Sequence, residues 1–241
     1  MKVKLLGSFG SDIDIDRAAR MSFGEFIEER SEIQVNRLIR YLMWNRHTSP
    51  FEMVEFKFYL KIPIFVARQL VRHRTASLNE ISRRYTDRNV EIASDLEFRE
   101  VDDSKTKQGS GSVLFTLNDH PELQNHFKES LNLYHELIDG KGVANECARA
   151  VLPLSTMTEW IWKIDLHNLL HFLLLRLDSH AQKETRLVAG EILELIRPVV
   201  PITVKAFEDW RYYITQFREK GYEYFRTGTR VDIEFIDKNE I

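Results

Sequence analysis

The chain has 241 residues, with 34 basic against 37 acidic side chains and a net charge of −3, so the molecule as a whole offers no polycation for nucleic acid. Hydrophobic residues make up 43% and charged residues 29%, too apolar for global disorder and enough for a substantial core. Ten glycines and six prolines are few for this length, which excludes collagen-like and turn-dense architectures and favours long regular elements.

Residues 1–10 read as a short strand and turn, followed by a helical pattern through Arg17, Ala18 and Ala19. The Asp12, Asp14, Asp16 run imitates a calcium loop, but Arg17 stands where such a loop needs Gly and Phe23 where it needs Glu. Residues 32–46 carry apolar side chains at helical spacing. Val54 to Ile62 alternates Val, Phe, Phe, Leu and Ile with Glu, Lys, Tyr and Lys, the pattern of a half-buried strand. Pro63 suits a first helical position, and IFVARQLVRHR continues as a helix that puts Gln69 on a shared face with Arg72 and His73. TASLNEISRRYTDRN then reads as a polar loop, and 102–112 as a mobile, polar surface connection.

Further along, His120-Pro121 opens a helix to about Ile138 that Asp139-Gly140 stops, and 144–151 forms a short helix ended by Pro153. Residues 155–164 are strand-like, 166–177 and 181–196 helical, and a last helix covers about 204–214. No internal repeat is present. The longest apolar stretch, Leu169 to Leu175, is broken by His171 and falls far short of the roughly 20 residues that cross a bilayer. The N-terminal residues turn acidic at once and lack the apolar core of a secretory signal. With Cys147 as the single cysteine, a cytoplasmic location is expected.

Chemistry concentrates in residues 68–88, where Arg68, Arg72, Arg74, Arg83, Arg84 and Arg88 face only Glu80 and Asp87, with no lysine. Guanidinium groups bind phosphate and carboxylate bidentately, so an all-Arg cluster suits a specific anion; an exposed basic loop would carry the same charge. Ser and Asn beside these arginines add the hydrogen-bonding groups that a planar heterocycle requires. His167 and His171 stand at i, i+4, as zinc ligands can, but Asn168 replaces the Glu of a metalloprotease, and no metal is expected. GSGSVL at 109–114 is not a dinucleotide-binding fingerprint. Cys147 lies in an apolar helical context that suits a small core residue, while Arg149 and Arg176 are lone cations needing an internal or bound anion. A non-catalytic nucleotide or RNA-binding module is the rival class for this cluster.

Arg72-His73-Arg74, seven residues and then Ser82 match the RHR-x7-S signature, with Ser77, Asn79, Glu80, Arg84 and Tyr85 meeting its fuller form. His47 to Glu52 (HTSPFE), PIFVARQ, Arg149 to Pro153 and LRLDSHAQ extend the match. The sequence resembles the flavin-dependent thymidylate synthases, the ThyX family. The resemblance implies a single α+β domain over 1–241, with a central mixed or antiparallel sheet and long helices, 90–125 a variable insertion and 216–241 a tail. It also implies a homotetramer with active sites shared between subunits, the flavin lying between the RHR segment of one subunit and the 165–171 region of another. The implied reaction is reductive methylation of dUMP to dTMP, using FAD, NADPH and 5,10-methylenetetrahydrofolate, with no covalent enzyme nucleophile and no nucleic-acid or membrane partner.

Carried over position by position, Gln69, Arg72, Glu80, Ile81, Ser82, Arg83, Arg84 and Arg149 correspond to dUMP-holding positions, Arg83 through its backbone. Arg176 corresponds to the arginine that activates the uracil. Ser49, Arg72, His73, Arg74, Glu80, Asp165, Leu166, His167 and His171 correspond to flavin contacts, with Asp165 replacing the Asn of some relatives. His47 corresponds to a histidine near the flavin ring and folate.

Overall fold

A computed structural model describes residues 1–24, 29–101 and 109–227, with side chains described through 217. In chain order its elements are β1 (Lys2–Phe9), α1 (Asp12–Arg20), α2 (Glu32–Trp44), β2 (Glu55–Pro63), α3 (Ile64–Leu70), β3 (Ser77–Glu80), β4 (Glu97–Arg99) and β5 (Val113–Thr116). There follow α4 (Pro121–His135), α5 (Asn145–Ala148), β6 (Met157–Asp165), α6 (Leu166–Arg176), α7 (Lys183–Ile196) and α8 (Pro201–Thr227). The chain divides into two compact units, one of Met1–Gly10 with Phe51–Pro198, the other of Ser11–Pro50 with Val199–Ile241.

In the first unit, β1, β2, β6 and β3 form an antiparallel sheet in that order, the α+β class expected. The alternation in β2 works as read: Phe56, Phe58, Leu60 and Ile62 are buried because every second side chain of a strand points to one face. The register sets Phe58 opposite Trp162 and Leu60 opposite Trp160, and α6 covers this face with Phe172, whose ring lies 5.2 Å from Trp162. On the opposite face Tyr59 donates to Glu159 at 2.8 Å, and burial followed by that carboxylate pushes its phenol up to about 12. A hairpin of β4 and β5 lies in the region expected as a variable insertion. Its Arg99 and Glu97 pair with Glu184 and Lys183 of α7 at 2.8 and 2.7 Å.

Several boundaries differ from the sequence reading. Pro63 ends β2 and caps α3. The helix stops at Leu70, short of the RHR segment, because 77–80 is drawn into pairing with β6 and tertiary pairing outweighs helical propensity. That strand, β3, lies inside the stretch expected as loop. It is a short edge strand of mostly exposed side chains, held by backbone pairing, so it carries no apolar alternation to read. The helix 121–138 ends at His135 and continues as a π turn, Glu136–Gly140. Residues 102–108 of the polar connection lie outside the described residues.

The second unit packs α1, α2 and α8 around Ile15, Val35, Ile39, Leu42, Val204 and Phe207, all buried. Buried Asp16 accepts from Arg20 at 2.8 Å and from Arg30 at 3.3 Å. The last helix begins earlier and ends later than the 204–214 expected, starting at Pro201, whose missing N–H is no loss at a first helical position. The next two amides, of Ile202 and Thr203, donate to the buried carboxylate of Asp12 at 2.8 and 3.0 Å, and Thr203 Oγ1 adds a bond at 2.6 Å. Asp12, residue 1 of the rejected calcium loop, thus caps a helix from afar. Replacing it strips three donors of their acceptor. Asp12→Ala is expected to lower stability by about 2–3 kcal/mol in urea denaturation.

Candidate active site

Within the first unit, the edge strand β3 and the start of β6 line a cavity of about 330 Å³ together with Leu152–Leu154. Glu80, Ile81, Ser82, Arg83 and Arg149 all face it, so most positions that the resemblance assigns to the nucleotide converge here. The pairing of Glu80 opposite Trp160 puts the Glu80 carboxylate in hydrogen-bonding reach of the Thr158 hydroxyl. After β3 the chain turns at Ser82, whose carbonyl accepts from the amides of Tyr85 and Thr86.

The buried Arg83 guanidinium donates to the carbonyls of Arg88 and Asn89 at 2.7 and 3.2 Å, with Asn89 in the left-handed region at φ 53. Its side chain therefore braces the loop from within. Arg84 is exposed, paired with Glu146 at 3.1 Å and 5.6 Å from the Tyr85 ring centroid.

Arg149 and Cys147 depart from the expectation of burial: both are exposed. The α5 helix is one turn long and turns Ala148 inward, so neighbours some 100° away around the axis face out. Arg149 donates to the Glu146 carbonyl at 3.3 Å, which needs no buried anion.

A second group gathers where α3, α6 and α7 meet. Arg176, at the end of α6, donates from Nε to His73 Nε2 at 3.0 Å and from Nη2 to the Gln69 carbonyl at 3.3 Å. His73 is wedged against Phe172, with ring centroids 5.0 Å apart, and faces the exposed His171 at 6.1 Å. The Gln69 side chain accepts from Thr185 Oγ1 at 3.1 Å and donates to Gln182 Oε1. Gln182 and Thr185 were not singled out in the sequence, although Gln182 ends the quoted LRLDSHAQ block.

Asp165 caps α6, accepting from the Asn168 amide at 2.9 Å, and Thr75 donates to Asn168 Oδ1 at 2.7 Å. The RHR segment and the 165–171 region thus adjoin within one chain. Leu166 is buried in the core, His167 partly buried. Arg72 and Arg74 are exposed and have no partner among the described residues.

Gln69, Arg72, Arg84 and Arg176 do not line the cavity; Gln69 and Arg176 meet instead at the end of α3, so the expected nucleotide residues gather in two groups. His47 and Ser49 belong to the second unit, where the His47 ring meets Tyr41 edge-on at 5.8 Å. Among the described residues no group of three or more His, Cys, Asp or Glu could hold a metal, and no helix is long and apolar enough to cross a membrane.

To serve as acceptor for Arg176, His73 Nε2 must be unprotonated. Burial, then the Arg176 charge, then His171, push His73 down from 6.5 to about 4. Between those values the unfolded chain takes up a proton that the folded site refuses, so stability falls as pH drops through this window. Thermal or urea unfolding should therefore show wild type losing more stability than His73→Gln between about pH 7.5 and 5, by on the order of 1 kcal/mol after solvent screening. Equal losses would show that His73 is not held neutral.

A family model described as thymidylate synthase complementing protein matches residues 4–202. A flavin-dependent thymidylate synthase of Dictyostelium discoideum is 42% identical over 236 residues, 96% of this chain and 76% of that one. Another, from Thermus thermophilus, is 47% identical over 207 residues, 86% of this chain and 75% of its own. Among solved structures, a UMP/dUMP methylase, PolB from Streptomyces cacaoi bound with 5-Br dUMP, superposes with a TM-score of 0.74 at 33% identity, covering 86% of this chain and 94% of that one.

Proposed function

The chain belongs to the family of flavin-dependent thymidylate synthases, and from that premise we propose that it converts dUMP to dTMP with 5,10-methylenetetrahydrofolate as carbon donor, FAD as redox carrier and NADPH as reductant. The observation that carries the reading to particular residues is the 330 Å³ cavity in which Ser82, Arg83 and Arg149 converge with Glu80. Such a set suits a nucleoside monophosphate: guanidinium and hydroxyl donors for the phosphate, backbone and carboxylate groups for the rest. The bromo-dUMP bound to PolB supports the same ligand class for this fold. The family match, residues 4–202, runs through parts of both compact units, which supports treating them as parts of one catalytic domain.

The donor set also fits a flavin dinucleotide. Arg72 and Arg74 are exposed guanidiniums without partners among the described residues, chemically apt for a diphosphate, and the exposed His171 lies beside His73. Glu80, Asp165 and His167 add to this flavin set, while Ser49 and His47, in the second unit, are assigned to the flavin and folate by the resemblance alone. When bound, the flavin supplies the redox chemistry that lets uracil be methylated without an enzyme thiol. The separation of the expected nucleotide residues into two groups in one chain supports a site that one subunit completes for another, as in the homotetramer that the resemblance implies.

Arg176 is the residue proposed to act on the uracil. Two of its nitrogens are tied to His73 and to the Gln69 carbonyl, while Nη1 has no partner among the described residues. A guanidinium so held stabilises the uracil as N3 gives up its proton, an interaction that strengthens in the activated state and so lowers the barrier. Purified protein should carry flavin absorbance and form dTMP from dUMP. Arg176→Ala should cut turnover at saturating dUMP at least roughly tenfold, about 1.4 kcal/mol of barrier; near-wild-type turnover would refute the role.

No side chain is proposed to bond covalently to dUMP. Cys147, the sole cysteine, stands exposed on α5 outside the cavity lining, and Ser82 Oγ accepts from the Arg84 amide at 3.3 Å with no general base bonded to it among the described residues. Cys147→Ala is expected to keep dTMP synthesis within about twofold, with a stability change on the order of 0.5 kcal/mol, as for most exposed positions. A trapped covalent adduct in mass spectrometry would overturn this.

A further inference from the structure

Gln69 is the one expected nucleotide contact whose side chain is held by other side chains on both its oxygen and its nitrogen: Oε1 accepts from Thr185 Oγ1 at 3.1 Å, and Nε2 donates to Gln182 Oε1. Both partners come from the start of α7, more than 110 residues away in sequence. Neither is the residue that local structure would select. Thr185 is completely buried, where Val would fill the same space without a hydroxyl to satisfy. Gln182 occupies the N-cap position, where Ser, Thr, Asp or Asn is preferred, and its side chain makes no capping bond. Both side chains are turned instead toward the Gln69 amide.

The helix start that carries them is itself pinned. Glu184 and Lys183, between the two, pair with Arg99 and Glu97 of the β4–β5 hairpin at 2.8 and 2.7 Å, and Arg99 and Glu184 are largely shielded from solvent. Largely desolvated ion pairs of this kind hold geometry better than they add stability. The Gln69 backbone is held as well, through the carbonyl that accepts from Arg176.

The geometry points to Thr185 and Gln182 as positioning residues that set the Gln69 side chain in the orientation used to read the nucleotide. This rests on the assignment of Gln69 to dUMP. A free glutamine has three side-chain torsions and can present oxygen or nitrogen either way round, and immobilising such a rotamer-rich side chain at binding costs affinity. With Oε1 and Nε2 each already partnered, that ordering is complete before substrate arrives.

The test compares steady-state kinetics of the flavin-loaded enzyme for Gln69→Ala, Thr185→Val, Thr185→Ser, Gln182→Met and the double variant Gln69→Ala/Thr185→Val, with thermal melts alongside. Thr185→Val and Gln182→Met are expected to raise the KM for dUMP roughly three- to tenfold with kcat within about twofold, the signature of lost binding common to ground and transition states. Thr185→Ser, which keeps the hydroxyl, should restore KM. In the Gln69→Ala background Thr185→Val should add nothing, because its effect passes through Gln69.

If Gln69→Ala raises KM but Thr185→Val and Gln182→Met do not, the positioning role is wrong while the substrate assignment stands. A further KM increase from Thr185→Val in the Gln69→Ala background would equally overturn it. If Gln69→Ala itself leaves KM unchanged, the assignment of Gln69 to dUMP fails and the proposal falls with it. Gln182 is only partly buried, so Gln182→Met tests the idea even if Thr185→Val fails to fold.

Discussion

The antiparallel pairing of β2 with β6 is the constraint on which the first unit depends. Nine consecutive residue pairs, from Glu55 with Asp165 to Pro63 with Met157, lock two strands about a hundred residues apart, and a slip of one position would set the buried Phe side chains of β2 on the opposite face from the buried Trp side chains of β6. The pairing also sets where helices begin: α3 leaves from the end of β2 and α6 from the end of β6. With those exits set, α6 packs Phe172 on Trp162 and ends with Arg176 against the residues that close α3. The site is a consequence of this register.

The edge of the same sheet does the second part of the work. β6 has β2 on one side and offers its other edge to Ser77–Glu80. An edge strand needs only backbone groups to pair, so its side chains can be polar and remain free for other uses. Glu80 to Arg83 turn off this edge into the cavity beside Arg149. Arg83 then braces the following loop through the Arg88 and Asn89 carbonyls, while Arg149 lines the cavity from the opposite segment.

Around Gln69, His73 and Arg176 the chemistry is that of partly desolvated polar groups, each needing a partner. His73 can accept from Arg176 only while neutral, and the surroundings that desolvate it, together with the guanidinium, favour that state. Burial pulls Arg176 down as well; its bonds to His73 and the Gln69 carbonyl offset part of the lost hydration. Polar partners and the Phe172 ring packed on His73 hold this junction together.

What the sequence by itself determined is what local chemistry encodes. The alternation from Val54 to Ile62 marked β2, the apolar run at 166–177 marked α6, and the RHR-x7-S spacing within the arginines from Arg68 to Arg88 resembled the one family to which the chain belongs. Tertiary structure alone decided that Ser77–Glu80 is a strand, that α3 stops before the RHR segment, that Cys147 and Arg149 face outward and that Arg83 turns in. It also decided that Thr185 and Gln182 hold Gln69, and that the expected nucleotide residues form two groups in one chain. The reason is physical. Burial of every second or every third to fourth side chain leaves a periodic trace in the sequence, whereas backbone pairing of a polar edge strand, and hydrogen bonds between residues 103 to 116 positions apart, arise only when distant segments meet and leave no local period to read.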